Sequence, residues 1–468
     1  MTDLEGIAKE MLKHGKSDTE ILERLILEYQ TFKNIEERLA QAMGEAVLQE
    51  CKNTLAAVGH KHGNLLDALL RIPNAKVTMG EQGVGCRGYG DFFMHQQIAK
   101  LSQIAEEPFL SPTSLDDCGA VILADDFETN KEEPTYIFSK MEGMHSRLSD
   151  FPFLAGFHVT RAALRDLYVK GAIPISIMVD IHLGDDADVG RLLDFMAGIS
   201  TIAEAMRVPI TAGSTLRIGG DMVIGPRITG GIAAIGLAKR TFLRRDIQPT
   251  DIILMSEGAG GGTISTTALY AGEPEATLET INVQFLDLCR HLLTQRKDLL
   301  EEIHCMADVT NGGLRGDLYE IGSEAQLGAT IYEKHAKKLV NPKVLELLER
   351  QNVDFMGVSL DALLIYCNET IQEQLIELGH ELGVTLARIG EVTPKPTIQI
   401  VRASGKIDTM PKFRESAYTK VKQIIGEETP EARDLMEKRI LDAVQEAKSK
   451  KAKVLKHLAE KRERQKKN

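Results

Sequence analysis

Between residues 76 and 402 the chain alternates short β-branched runs with amphipathic stretches at helical spacing, and this texture limits the folds open to it. Runs such as "AVILADD", "IPISIMVDIHL" and "TDIILMSEG" have the length and side chains of strands, whereas "VTRAALRDLYVKG" and "VGRLLDFMAGISTIAEAMR" repeat apolar residues as helices do. The alternation occurs twice with similar punctuation, first to about residue 236 and again from about 245 to 402. An α+β chain in four parts is predicted: a helical extension over 1–75, mixed halves over 76–240 and 241–405, and a helical basic tail over 406–468.

The two ends carry their own helix signals. Ser17 and Glu20 are spaced as a capping box, and Leu22, Leu25, Ile26, Tyr29 and Phe32 make one apolar stripe. Near the other end, Thr429 and Pro430 predict an N-cap and a first-turn proline. Met436, Ile440, Val444 and Ala447 then share a face, so that helix is expected to dock over its first half alone.

Composition excludes several classes. A 43% hydrophobic, 26% charged chain is ordinary for a folded soluble protein, and no apolar run approaches the roughly 20 residues that span a bilayer. The opening "MTDLEGIAKEM" lacks the basic start and apolar middle of a signal peptide, so a cytoplasmic protein without a membrane partner is expected. A net charge of −12 argues against nucleic acid as a partner of the body. The stretch from Lys448 to the end reverses that sign, with ten Lys or Arg against two Glu. Such a run is a solvated helix face or a contact for an acidic protein. Six cysteines without a close pair indicate neither a zinc site nor a disulfide framework.

Candidate chemistry begins with "ADVTNGGLRGDLYEI" at 307–321. Asp308 closes an apolar stretch, and Thr310, Gly312 and Gly313 form a turn before a periodic helix. Backbone N–H groups at such a turn suit a phosphate, and an acid beside a phosphate calls for a divalent cation, Mg²⁺. An ordinary glycine turn capped by Thr310 or Asn311 is the plainer alternative. Asp117 in "SLDDCGAVIL" and Asp166 in "ALRDLYVKGAIPI" also stand beside element ends. Carboxylates gathered from such distant segments need a cation, which suggests Mg²⁺ holding a polyphosphate. Glycine-rich turns recur at "GEQGVGCRGYGDFF" with Gly83, Gly85 and Gly88, at "ITAGSTLRIGG" with Gly213 and Thr215, and at "SEGAGGGTIST". None is a Walker A loop or a dinucleotide fingerprint.

The order of these motifs is more specific than any one of them. The acidic pair, "MEGMHSRLSDF", "LRDLYVKGAIPISIMVDIHLG", "TAGSTLR", "TDIILMSEGAGGG", "MADVTNGGLRGDLYEIG", "GVSLDALLIYC" and "ARIGEVTP" together resemble the aminoimidazole ribonucleotide (AIR) synthetase superfamily over residues 78 to 402. That group includes selenophosphate synthetase, thiamine monophosphate kinase and the hydrogenase-maturation dehydratase. The resemblance implies a two-domain AIR synthase-like fold whose β-rich N-terminal halves form a barrel shared in a homodimer, beside an α/β C-terminal half. It also implies ATP in a cleft with Mg²⁺ on aspartates. Carried over by position, Asp117, Asp166 and Asp308 become metal ligands with Asp116 as a neighbour. Gly312 and Gly313 become the turn near the nucleotide; beside them, Thr310 and the glycine-turn residues Gly83, Gly85, Gly88, Gly213 and Thr215 are candidate nucleotide contacts.

Departures from the pattern are equally informative. Many relatives carry an acid on the strand before "EGMH", where this chain reads "YIFSKMEGMH" with Lys140. Cys86-Arg87 sits in a glycine-rich loop without the lysine of selenophosphate synthetase, and the arginine would favour a thiolate. No cysteine follows Cys367, which argues against the hydrogenase-maturation activity. The expectation is an ATP- and Mg-dependent phosphotransferase or synthetase acting on a small molecule, with Cys86, Arg87 and His145 as candidate catalytic contacts. The contrasting expectation is a nucleotide-binding assembly or maturation factor that acts on a protein partner.

Overall fold

The computed structural model describes residues 2–59, 61, 63–84, 88–105, 107–114, 116–123, 134–219, 222–310 and 312–467. Helices Leu4–Lys13, Asp18–Lys33, Glu37–Gly59 and Asn64–Leu70 make up the N-terminal extension. The capping box is formed: the Glu20 N–H donates to Ser17 Oγ at 3.3 Å, and the Ser17 N–H to the Glu20 carboxylate at 2.9 Å. Leu25 and Tyr29 of the stripe are buried with Leu4, Ala8, Val47 and Cys51, while Phe32 is left outside. Two links fix this cap to the body. Thr2–Asp3 pairs antiparallel with Val223–Ile224, and Lys33 contacts Asp185 and Asp186.

A five-stranded sheet follows, in the order Gly119–Ile122, Tyr136–Gly143, Ile228–Ala238, Ile173–Leu183, Ile210–Arg217. Only the last pair is parallel. Alternation decides which side each residue takes. Lys140, Ala234 and Ile177 lie in register on the inner face, which helices Pro152–Val169 and Val189–Met206 cover. Met141, Leu216 and Leu237 are exposed on the other face, which no element among the described residues covers. Gly213 and Thr215 belong to edge strand Ile210–Arg217, in register with Val179 and Ile181. The expected turn at "TAGST" is therefore strand, and its β-branched residues outweigh its single glycine.

The C-terminal half is a seven-stranded sheet in the order Ile407–Thr409, Ile398–Val401, Gly328–Tyr332, Leu386–Thr393, Ile252–Ser256, Leu363–Cys367, Ile303–Asp308. Its strands Ile252–Ser256 and Leu363–Cys367 are buried throughout, as continuous apolar runs should be when both faces are covered. One core joins the halves. Leu164 and Leu167 of helix Pro152–Val169 belong to the same buried cluster as Leu288 and Leu292 of helix Gln284–Gln295 and Met306.

Beyond this sheet the chain returns across the N-terminal glycine turn. A Cβ on Gly88 would stand 1.8 Å from the Arg414 carbonyl oxygen, and one on Gly83 2.5 Å from Arg414 Cγ. Close passage of residues 413–414 thus accounts for these two glycines. The terminal helix spans Arg433–Lys467 and starts after Thr429 and Pro430 rather than on them, with the Ala432 carbonyl accepting its first bonds. Glu431, drawn 2.9 Å from Arg439, stays outside the first turn. Met436 and Ile440 are buried as expected. Docking continues to Lys450 and Lys451, whose ammonium groups donate to the Leu69 and Leu101 carbonyl oxygens at 3.2 and 2.9 Å. These are the C-terminal ends of helices Asn64–Leu70 and Tyr89–Ser102, where a cation is favoured. Among the described residues, no helix is long and apolar enough to cross a membrane.

Candidate functional site

Helix Pro152–Val169 carries the buried charges between the halves. Arg161 and Arg165, four residues apart, share a face turned toward the C-terminal half. Arg161 donates to the carbonyl oxygens of Thr280, Asn282 and Gly260 at 2.6, 2.8 and 2.9 Å and pairs with Asp361. Arg165 lies 2.7 Å from Asp361, 3.7 Å from Asp166 and in contact with Asp308. From the inner face of the sheet, Lys140 completes the group at 2.6 Å from Asp166 and 3.3 Å from Glu142. Although burial alone would raise it, Arg165 and Arg161 hold the Asp361 carboxyl well below the usual carboxylate range. Asp361 adopts φ +51°, a left-handed conformation uncommon for a residue with a Cβ. Its N–H donates to the Val309 carbonyl at 2.9 Å, and its carboxylate accepts from Ser359 Oγ at 2.8 Å.

These charges border a cavity of about 610 Å³ between the halves. Lys140, Arg147, Arg165 and Lys422 bring positive charge to its wall, and Asp91, Glu142, Asp166 and Asp361 bring negative. Gly262 and Thr263, the first residues of helix Gly262–Ala271, also line it. That helix starts from "SEGAGGGTIST", the glycine-rich stretch whose role the sequence left open. Its first bond within the turn runs from the Ser265 N–H to the Gly261 carbonyl, so the N–H groups of Gly262, Thr263 and Ile264 precede the bonded ladder.

His145 stands in the cavity wall, with Nε2 3.1 Å from the Tyr418 hydroxyl and Nδ1 3.1 Å from Thr266 Oγ1. Burial, then Lys422 and Arg147, push its imidazole down to about 4. His158 behind it reaches Ser265 Oγ at 2.9 Å, and burial followed by Arg161 pushes it down to about 3. Both are neutral at pH 7. The unfolded chain takes up protons near pH 6.5 and the folded chain does not, so stability is complete above 6.5 and falls as the pH drops toward 4. For His158 the slope is about 1.4 kcal/mol per pH unit below 6.5. Melting curves from pH 7 to 5 are expected to show this loss, and His158→Gln should remove about half of the histidine contribution, the rest being that of His145.

The aspartates expected as metal ligands fall into two separate groups. Asp116 and Asp117 close around Lys170, at 2.7 and 3.0 Å, and Arg244 reaches Asp117 at 2.5 Å and Glu320 at 2.6 Å. Neither borders the cavity. Asp166 and Asp308 flank Arg165, and of these two only Asp166 lines the cavity. Asp166, Asp308 and Asp361 are paired with Lys140, Arg161 and Arg165, and Lys140 also serves Glu142, so the oxygens a Mg²⁺ would need already face fixed cations. The described residues contain no group of three or more His, Cys, Asp or Glu side chains placed to hold a metal. These aspartates do not fit a protein-held Mg²⁺.

The opening glycine turn also differs from its expected use. The Thr310 N–H donates to the Asp317 carboxylate at 3.1 Å, and the Gly313 N–H to the Thr310 carbonyl at 2.8 Å. Gly312 and Gly313 have φ +94° and +65°, and a Cβ on Gly313 would meet the Met356 carbonyl oxygen at 2.3 Å. The Thr310 and Gly313 amides are thus engaged within the protein, and Gly313 admits a neighbouring backbone. Thr310 lines the cavity, whereas Gly83, Gly88, Gly213, Thr215, Gly312 and Gly313 do not. Gly85, Cys86 and Arg87 lie outside the described residues. Sequence reasoning missed Arg161, Arg165, Lys170, Arg244 and Asp361. The one usable signal was Arg161–Arg165 at helical spacing, which on a sequence reads as a solvated face.

The comparisons agree with this architecture. The N-terminal domain of AIR synthase related proteins matches residues 115–238 and the C-terminal domain matches 248–402, and the chain belongs to this family. An uncharacterized protein of Methanocaldococcus jannaschii is 42% identical over 470 residues, covering 99% of this chain and 100% of that one. Among solved structures, the HypE-HypF complex has a chain with TM-score 0.54 and 19% identity, covering 68% of this chain and 99% of that one. AaThiL complexed with AMPPCP and TMP has TM-score 0.51 and 13% identity, covering 70% of this chain and 96% of its own. At these identities the two structures establish a shared fold.

Proposed function

We propose that the cavity between the halves binds ATP, and that the protein uses it to phosphorylate a small-molecule oxygen or sulfur nucleophile or to activate an amide or carboxylate oxygen as a phosphate ester. The observation that carries this reading is the convergence of Lys140, Arg147, Arg165 and Lys422 with the unbonded first turn of helix Gly262–Ala271 in one cavity of about 610 Å³. Side-chain cations and helix N-terminal N–H groups are the donors that phosphate oxygens require. AaThiL, which shares the fold, is complexed with AMPPCP, a triphosphate analogue. Catalysis would consist of positioning and charge stabilisation, with neutral His145 shaping the wall while Tyr418 and Thr266 engage its two ring nitrogens. Mg²⁺ enters this reading only as the counterion that ATP carries in solution. Phosphorus NMR with candidate nucleophiles tests the activity: ADP marks transfer of the terminal phosphoryl group, and AMP with two phosphates marks a double cleavage. ATP that stays intact with every nucleophile class would contradict it.

The proposal includes a homodimer through the uncovered face of the five-stranded sheet, where Met141, Leu216 and Leu237 are exposed. Light scattering at micromolar concentration should give twice the chain mass, and Met141→Lys should shift it toward monomer. A monomeric wild-type chain would contradict this part.

An assembly-factor reading is favoured by the terminal helix. Past Lys451 its residues are largely exposed, including Leu455 and Leu458, and its charge is positive, which suits an acidic protein partner. Lys450 and Lys451 hold the body, so the dispensable segment starts after them. Deleting 455–467 is expected to leave melting temperature and ATP binding unchanged. Loss of ATP binding in that truncation would place the tail in the nucleotide site instead.

A further inference from the structure

Glu142, Asp166 and Asp361 of the cavity wall are each already paired with a side-chain cation. Lys140 occupies the inner face of its strand at 2.6 Å from Asp166 and 3.3 Å from Glu142, so one ammonium serves both acids of that wall. Arg165 serves Asp166, Asp308 and Asp361, and Arg161 doubles the charge on Asp361. Arg161 is held in place by the carbonyl oxygens of Gly260, Thr280 and Asn282. Arg165 is buried and framed by carboxylates on three sides. Neither guanidinium can leave without stranding buried charge. A divalent ion placed among these aspartates would have to displace cations that the fold has fixed.

We propose that Lys140 and Arg165 are built-in replacements for a divalent cation, so that the cavity binds a nucleoside triphosphate on side-chain cations and without a protein-held metal. This rests on the nucleotide reading above and assigns the charge chemistry of that site. Lys140 and Arg165 line the cavity, Arg147 and Lys422 extend the positive surface along the same wall, and all four charges belong to the chain. Triphosphate affinity should therefore survive removal of Mg²⁺. Lys140 is the residue on which the distinction turns. Replacing it by an acid would add a carboxylate beside Asp166 and Glu142, three oxygen ligands of the kind that hold a hard divalent ion.

The test uses the full chain, AMPPCP as the probe, and isothermal titration in Mg²⁺ or in EDTA. Affinity that differs between the two by no more than about threefold is expected. Mg²⁺ alone should leave the wild-type melting temperature unchanged, while Lys140→Asp should gain a saturable rise with Mg²⁺ and lose AMPPCP affinity in EDTA by about tenfold or more. Binding that requires Mg²⁺ in the wild type, or a wild-type melting temperature raised by Mg²⁺ alone, would overturn the replacement while leaving the nucleotide site standing. No AMPPCP binding under either condition would instead reject the nucleotide reading itself. If Lys140→Asp does not fold, Lys140→Met serves: tenfold weaker binding in EDTA supports a direct phosphate contact, and unchanged affinity overturns it.

Discussion

Arg165→Met is expected to destabilise the protein by about 3–5 kcal/mol, because it removes one cation from among three buried carboxylates while leaving the carboxylates in place. Arg165 touches Asp308, stands 2.7 Å from Asp361 and is the side chain through which the helix Pro152–Val169 engages the end of strand Ile303–Asp308. Methionine fills much of the volume but cannot answer the charge. In thermal melts the midpoint should fall by about 3–5 °C for a chain of this length. Asp308→Asn in the Arg165→Met background should recover part of the loss, since it removes one of the stranded charges. A variant that melts with the wild type would mean that the carboxylates find another counterion.

Lys170→Met is expected to cost a similar amount, about 3–5 kcal/mol, at a residue that does not line the cavity. The Lys170 ammonium lies between Asp116 and Asp117 and also donates to the carbonyl oxygens of Met306 and Phe242 at 2.9 and 3.1 Å. Removing it strands acceptors from three segments that meet at this point. Arg244 remains with Asp117, so Asp116→Asn should be the more effective partner substitution. Denaturant unfolding reads the effect, and ATP affinity in the folded fraction should be unchanged. A Lys170→Met chain of wild-type stability would contradict the structural role assigned to Asp116 and Asp117.

Local signals in this chain were read correctly where local physics decides. Ser17 and Glu20 form the box their spacing indicates, because a cap is settled within one turn. The alternating "IPISIMVDIHL" became strand Ile173–Leu183 with alternating burial, because the covered face selects every second residue. Signals failed where tertiary packing decides. Gly83 and Gly88 resemble phosphate-loop glycines, yet their space is filled by residues 413–414, some 325 positions away along the chain. Asp166 and Asp308 look like metal ligands because a sequence displays the acids and conceals their counterions. Arg165 precedes Asp166 directly, but that it points into the protein and also meets Asp308 and Asp361 follows only from how the two halves meet.

In the proposed function, the cavity between the halves takes a triphosphate on its cationic wall. Titration of AMPPCP into the wild type and into Arg147→Ala/Lys422→Ala measures it most directly, since both residues line the cavity and neither belongs to the buried Arg161–Arg165 network. One saturable site per chain is expected, with an affinity about tenfold or more weaker in the double variant and melting temperatures that match. Equal affinity in the two proteins, or no saturable binding to the wild type at millimolar AMPPCP, would contradict it.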